Sequence, residues 1–271
     1  MKPPTYPSDA RCAISDILCA VRTILLPRLL FTAACACLLS CVCAAPASAQ
    51  QAPPPAYTPP VGVIVLDPAH GGTDTGARGE TSVEKDIVLQ IARTVRTELE
   101  RGGYRVVMTR NDDSSVSYDD RAAVANAHPD AIFITLHVSS TGTAGTVRVY
   151  YDQFAAPAPP AAAPGNAKPQ PPLSPGLAVW EEAQRPYLDA SHRLADLIQS
   201  GLAQVFSGSP VTASGAAVRG LRSVAAPAVA IEISSVSVSN ADSLIATAGP
   251  LASAIEQAAS VFRQASSTGA R

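Results

Sequence analysis

The sequence predicts an α/β fold: a single domain in which a mixed, mainly parallel sheet carries helices on both faces. Short, continuous apolar runs recur along the chain, as expected of strands that are buried on both sides. Segments with the apolar spacing of helices separate most of these runs. The alternation of the two is typical of parallel sheets, in which a helix connects one strand to the next.

The first half of this body, which begins at Gly62, predicts four strands and two helices. The long helix has apolar residues four positions apart and stops at Gly102-Gly103. Its apolar positions are Ile87, Ile91, Val95 and Leu99. The predicted strands are 63–66, 104–109, 131–138 and 146–151, and a short helix at 119–127 precedes the third of them.

The second half opens with a Pro-rich insertion, residues 154–176, which contains eight prolines, one lysine and no acidic residue. Such a composition predicts a flexible or polyproline-like segment. The elements expected after it are a helix at 179–205, a strand at 228–233, a short helix at 242–246 and a C-terminal helix at 250–264. Ser239 or Asn240 is expected to cap the short helix.

Residues 1–49 are typical of an export signal, because Arg22 and Arg28 precede an apolar run that ends in the small residues 46–49. That run has about seventeen residues, the short limit for a membrane anchor, which is one alternative. The other is a lipoprotein signal, since the residues before Cys41 resemble a lipobox and would make Cys41 a lipid anchor. We expect a Pro-rich tail over 50–61 and the folded domain over 62–265.

Charge and cysteine usage exclude several classes of function. After residue 49 the chain has 16 basic and 20 acidic residues, a net charge of −4, so no nucleic-acid partner is expected. All six cysteines lie within the first 43 residues. The folded domain therefore has neither thiolates for a metal or catalytic site nor a disulfide framework.

Two histidines stand where predicted strands end, and sites in parallel sheets form at the carboxyl ends of strands. His70 follows the first strand in a turn that continues with Gly71-Gly72, and His137 closes strand 131–138. Each has a second interpretation. A loop histidine is often only solvated, and a strand histidine can be a core residue bonded to a backbone carbonyl.

Two glutamates are further candidates. Glu232 interrupts the apolar strand 228–233, where an unpaired carboxylate is costly to bury, so we expect a raised pKa and a role as general acid and base. Glu84 has a competing role, because Thr81 and Glu84 have the spacing of a helix capping box. In that role the Glu84 carboxylate would turn back onto its own helix and away from any metal.

Together His70, Glu84 and His137 form a His2Glu set, a ligand combination of catalytic zinc sites. Their separations match no short zinc motif, so spacing alone does not establish the site. The sequence contains no H-E-x-x-H, G-x-S-x-G or phosphate-loop motif. His128 and His192 are expected to be incidental, the second of them facing solvent.

Four segments, in order along the chain, resemble the zinc-dependent N-acetylmuramoyl-L-alanine amidases of the amidase-3 type. They are VIVLDPAHGG (63–72), the stretch from SVEKD to MTR (82–110), DRAAVANAHPDAIFITLHVSS (120–140) and AVAIEISSVSVSN (228–240). The resemblance implies that His70, Glu84 and His137 bind Zn²⁺ and that Glu232 is catalytic. This sequence departs from the family pattern at Ala69, at 138–140 and at 234–236. We expect these departures to affect substrate fit more than metal binding.

The resemblance also implies a function for the domain over 62–265, namely zinc-dependent hydrolysis of the amide bond between N-acetylmuramic acid and L-alanine in peptidoglycan. The protein would be exported to the periplasm or cell envelope, or secreted, and an activator protein is a conceivable partner. Two rivals stay open: a zinc peptidase acting on another peptide, and an inactive wall-binding protein of amidase fold. The insertion 154–176 lacks the acidic residues of the helix that blocks the site in some relatives.

Overall fold

The computed structural model describes residues 62–154, 179–237 and 239–268 of the 271-residue chain. The predicted export signal, the Pro-rich tail and all but the first residue of the insertion lie outside these ranges. All described residues belong to one compact unit, Thr58–Arg271. Among the helices of the described ranges, none combines the length and apolar character that crossing a bilayer requires.

Six strands and six α-helices make up the described part of the chain. In order they are β1 (Val63–Pro68), α1 (Glu84–Arg101), β2 (Arg105–Met108), α2 (Tyr118–Asn126), β3 (Ala131–Val138), β4 (Val147–Asp152), α3 (Leu188–Val205), β5 (Ser214–Ala216), α4 (Arg219–Arg222), β6 (Ala228–Ile233), α5 (Ala241–Ile245) and α6 (Ala248–Thr268).

The six strands form one sheet in the order β2-β1-β3-β6-β4-β5. The first four strands of that order run parallel, β4 is antiparallel to β6, and β5 is parallel to β4. The sheet is therefore mixed and mainly parallel, as the sequence predicts.

Helices cover both faces of the sheet, which explains why the strands are continuously apolar. Ile64 and Leu66 of β1 belong to the core under α1, α3 and α6, whereas Val65 between them belongs to the core under α2 and α4. All three side chains have no exposed surface. This confirms the predicted fold class.

Three elements differ from expectation. The helix predicted at 179–205 begins only at Leu188, after two short 3₁₀ turns, because Pro186 disfavours an α conformation at the residue before it and lacks a backbone N–H. The sequence analysis missed β5 and α4, which are three and four residues long and have no apolar run. Helix α5 has the expected cap, since the Asn240 side chain accepts a hydrogen bond from the Ser243 backbone N–H.

Candidate active site

The carboxyl ends of β1, β3 and β6 bring three of the predicted residues to one edge of the sheet. His70 follows β1, His137 is the seventh residue of β3, and Glu232 is the fifth of β6. The register between β3 and β6 pairs His137 with Glu232, so their side chains leave the same face of the sheet. Glu84, the first residue of α1, reaches the same place from outside the sheet.

The side chains of His70, Glu84 and His137 converge on one point. His70 Nε2 lies 3.2 Å from Glu84 Oε2, and His137 Nδ1 lies 3.0 Å from Glu84 Oε1. One ligand atom from each residue can be chosen so that all three lie within 4.8 Å of one another. The two imidazole rings are nearly perpendicular, at 87°, with centroids 5.3 Å apart.

This donor set fits a zinc ion. Zinc–nitrogen and zinc–oxygen distances of about 2.0–2.2 Å place neighbouring ligand atoms of a tetrahedral site roughly 3.3 Å apart. The separations of 3.0 and 3.2 Å end on different oxygens of Glu84, and they show that the three side chains are close enough to share one ion. Two histidines and one carboxylate also leave a fourth position for water or substrate, as catalytic zinc sites require.

The Glu84 carboxylate does not cap its own helix. The N-cap of α1 is Val83, with no side-chain hydrogen bond, and Thr81 lies outside the helix, so the capping-box interpretation is wrong. Backbone N–H groups of Ala77 and Val138 instead donate to the Glu84 oxygens at 2.8 and 2.9 Å. These two donors turn the carboxylate towards the histidines and away from the start of the helix.

Electrostatics keep Glu84 ionised although its side chain is buried. Burial alone would raise the pKa of Glu84, but the hydrogen bonds to His137, to His70 and to the Ala77 N–H hold that pKa well below its ordinary value. The hydrogen bond to Glu84 in turn raises the pKa of His70. An anionic carboxylate between two imidazoles is the charge arrangement that a divalent cation favours.

Glu232 lies beside these three residues, but within the described ranges its carboxylate has no partner. No hydrogen bond or ion pair joins its carboxylate to any residue in the described ranges. Burial raises the pKa of Glu232, with a further increase from the negative Glu84 and an opposing effect of His137. This increase in the pKa of Glu232 agrees with the expectation from the sequence. A half-buried carboxyl with a raised pKa is suited to the transfer of protons.

Comparison with known proteins gives the family. The model of the Amidase_3 family, described as N-acetylmuramoyl-L-alanine amidase, matches residues 64–259. The chain belongs to this family. The match includes all four predicted site residues, so the resemblance noted in the sequence is confirmed.

Curated relatives of this Amidase_3 chain match over part of their length. The N-acetylmuramoyl-L-alanine amidase AmiC of Escherichia coli O6:H1 is 44% identical over 80 residues, 29% of this chain and 19% of that protein. The sporulation-specific N-acetylmuramoyl-L-alanine amidase of Bacillus subtilis is 40% identical over 96 residues, 35% of this chain and 38% of that protein. The matches therefore span less than half of either relative.

Solved structures support the amidase fold. The CwlD amidase from Clostridioides difficile, solved in complex with the GerS lipoprotein, has a TM-score of 0.56 at 19% identity, covering 75% of this chain and 99% of that one. The amidase AmiC2 of Nostoc punctiforme has a TM-score of 0.53 at 22% identity, covering 74% and 97%.

A buried ion pair under the candidate site was not predicted from the sequence. Arg121 of α2 pairs with Asp67 at the end of β1, and the Thr135 hydroxyl donates to the other Asp67 oxygen at 2.7 Å. Arg121 also donates to the backbone carbonyls of Pro68 and His70. These bonds fix the turn that carries His70. Because 54 residues separate Asp67 from Arg121, no local pattern indicated the pair.

The turn that carries His70 also depends on backbone geometry. His70 has a positive φ of 61°, which is uncommon for a residue with a side chain. Gly76, with φ 63°, is the position where a side chain would intrude: a Cβ there would lie 2.5 Å from Glu84 Oε2 and 2.6 Å from the His70 ring. The glycine-rich turn therefore leaves room for the two ligands to meet.

Asp74 is a second residue that the sequence analysis missed. Its Oδ2 lies 2.8 Å from His70 Nδ1, so the carboxylate accepts a hydrogen bond there and leaves Nε2 facing Glu84. Metal-binding histidines commonly hold such a partner on the other ring nitrogen. An acidic residue four positions after a candidate ligand was the signal that could have identified it.

We expect Asp74→Ala to lower metal affinity by roughly 10- to 100-fold, the usual effect of losing such a partner. The free His70 ring would lose its fixed orientation and tautomer. Competition of the purified chain with a zinc-binding dye measures the affinity. Asp130→Ala, at the opposite edge of the sheet, is the matched control and should leave it unchanged. An unaltered affinity in Asp74→Ala would contradict the role given to this carboxylate.

Proposed function

We propose that the chain is an exported zinc amidase that hydrolyses the bond between N-acetylmuramic acid and L-alanine in peptidoglycan. The observation that carries the proposal is the convergence of His70, Glu84 and His137 beside the carboxylate of Glu232, which has no partner among the described residues. A cavity of about 530 Å³ opens over His70, His137 and Glu232. Membership of the amidase family supplies the substrate class.

His70, Glu84 and His137 are proposed to hold the zinc ion. When bound, zinc lowers the pKa of a coordinated water and polarises the scissile carbonyl. The protein holds two of the three ligands in advance, His70 through Asp74 and Glu84 through two backbone donors. Little reorganisation is then needed on binding.

Glu232 is proposed to move the protons. Its carboxylate takes one from the attacking water and delivers one to the amide nitrogen that leaves with L-alanine. The raised pKa suits both halves of this cycle, because the group must be ionised to accept the proton and neutral to donate it. Its place opposite His137 in the register sets it on the same face as the metal ligands.

The site of action is proposed to be the periplasm or cell envelope, reached through the export signal at 1–49 or through a lipid anchor at Cys41. An activator protein is a further proposed partner. The CwlD amidase was solved in complex with the GerS lipoprotein, which shows that a protein of this fold can bind such a partner.

Digestion of purified peptidoglycan tests the proposal. We expect new amino termini at L-alanine, intact lactyl groups on the released glycan, and loss of both on chelation with recovery on adding Zn²⁺. Dinitrophenyl labelling and mass spectrometry identify the ends. New termini elsewhere in the stem peptide would indicate a zinc peptidase. Binding to sacculi without new ends would indicate a wall-binding protein.

A further inference from the structure

The cavity over the candidate active site extends away from the metal ligands to the start of α4. There its wall consists of Tyr118, Val218, Arg219 and Gly220. A second cavity, of about 750 Å³, shares Tyr118 and Arg219 with the first. Arg219 therefore lines two neighbouring cavities, one of which contains Glu232 and the two histidines.

The charge of Arg219 is not compensated within the described ranges. Its guanidinium carbon lies 5.3 Å from the centroid of the Tyr118 ring, and the side chain makes no hydrogen bond or ion pair with a described residue. Arg121, the other arginine in the same wall, is buried and paired with Asp67. Of the arginines that the structure describes in this wall, Arg219 is thus the one with a free charge.

The position of Arg219 is well defined although its side chain is exposed. The backbone N–H of Val218 donates to the buried carboxylate of Asp152 at 2.9 Å, which ties the start of α4 to the end of β4. On the other side, a Cβ on Gly220 would lie 3.4 Å from the Tyr118 ring, so ring and helix are in close contact. A cation held on an aromatic face is oriented before any ligand arrives.

We propose that Arg219 binds a free carboxylate of the peptidoglycan stem peptide and so sets substrate specificity. The inference rests on the proposed function, because it assumes that the scissile amide lies at the metal ligands. The peptide leaving that point then follows the cavity towards α4. A guanidinium binds a carboxylate through two parallel hydrogen bonds, a geometry that a neutral amide cannot match.

The positions of the acidic residues around Arg219 favour the first cavity as the place where a carboxylate binds. The second cavity is lined by Asp119 and Glu181 as well as by Arg222, so acidic residues outnumber Arg222 there. In the first cavity, Asp74 is bonded to His70 and Asp67 to Arg121, and Glu232, which has no partner in the described ranges, lies beside the candidate metal site. A stem-peptide carboxylate is therefore best placed in the first cavity, between Arg219 and the candidate metal site.

Steady-state kinetics on two substrates test this proposal. One is a muramoyl tripeptide with free peptide carboxylates, and the other has those groups converted to carboxamides. Wild type should show a KM roughly 10- to 100-fold lower for the acid form. Arg219→Gln should remove that preference by raising KM for the acid form alone, with kcat nearly unchanged. Arg219→Lys, which keeps the charge, should retain part of the preference for the acid form.

Arg105→Gln is the matched control, because Arg105 is exposed at the start of β2, at the opposite edge of the sheet. It changes net charge equally and should leave both KM values unchanged. Equal KM values for the two substrates in wild type would overturn the proposal. An equal rise in KM for both substrates in Arg219→Gln would overturn it as well.

Calorimetric titration with the free tripeptide separates this proposal from the proposed function, since it needs no turnover. The full-length wild-type chain should bind the acid tripeptide about 10-fold or more tightly than the carboxamide, and Arg219→Gln should bind both alike. If wild type cleaves no muramoyl–alanine bond, the proposed function fails, while the titration still decides the role of Arg219. Equal binding of the acid form by wild type and Arg219→Gln would refute that role.

Discussion

Replacing Glu232 with glutamine is expected to slow amide hydrolysis by about 10²- to 10⁴-fold, the range that a positioned general acid and base supplies. Glutamine keeps the size of the side chain but cannot take up a proton. Zinc content should stay at the wild-type level, because Glu232 lies beside the cluster of possible ligand atoms and is not part of it. Turnover of a purified muropeptide and metal content per chain are the two measurements.

Glu100→Gln is the control for this prediction. Glu100 is exposed near the end of α1, at the opposite end of that helix from Glu84, and its ion pair with Arg96 is on the surface. This variant should match wild type in both measurements. If Glu232→Gln lost its zinc, Glu232 would have to be reassigned as a ligand. Full turnover in that variant would remove it from the mechanism.

His137→Ala is expected to lower zinc affinity by more than about 100-fold and to abolish activity. Losing the outer partner of a ligand already costs about 10- to 100-fold in affinity, so losing the ligand itself should cost more. Glu84→Gln should weaken binding in the same direction, because a neutral amide is a poor ligand. Dialysis against a zinc buffer followed by elemental analysis gives the affinities.

The other two histidines provide controls within the same chain. His192 is exposed on α3, stacks on Tyr151 and pairs with Asp196, and His128 lies between α2 and β3. Alanine at either position should leave zinc affinity unchanged. Retention of one zinc per chain by both His137→Ala and His70→Ala would show that the metal, if any, binds elsewhere.

The fold was predictable where burial leaves a simple pattern. Strands β1, β3 and β6 are buried on both faces, so most of their residues are apolar and the strands stand out in the sequence. Strand β5 did not stand out in the sequence, because it is a three-residue edge strand of Ser, Gly and Ala. The predicted start of α3 was wrong because the helix was extended through Pro186, although the apolar positions begin at Leu188 and the backbone before it forms 3₁₀ turns.

The site was predictable in its residues but not in all of its contacts. Glu84 fitted both a helix cap and a ligand, and the choice depends on N–H groups of Ala77 and Val138, the second of which is 54 residues away. Such long-range contacts leave no local pattern. Arg219 was missed for a related reason, since its importance comes from the cavity and not from its neighbours in the chain.

The pairing of His137 with Glu232 constrains how this sequence can change over evolution. Neighbouring residues of a strand face opposite sides of a sheet, so inserting or deleting one residue before Glu232 in β6 would turn its carboxylate into the core under α1 and α6. A point substitution at the buried Ala228 changes the packing around it but does not reverse the face on which Glu232 lies. Length changes should therefore be far rarer in this strand than amino-acid replacements among functional homologues.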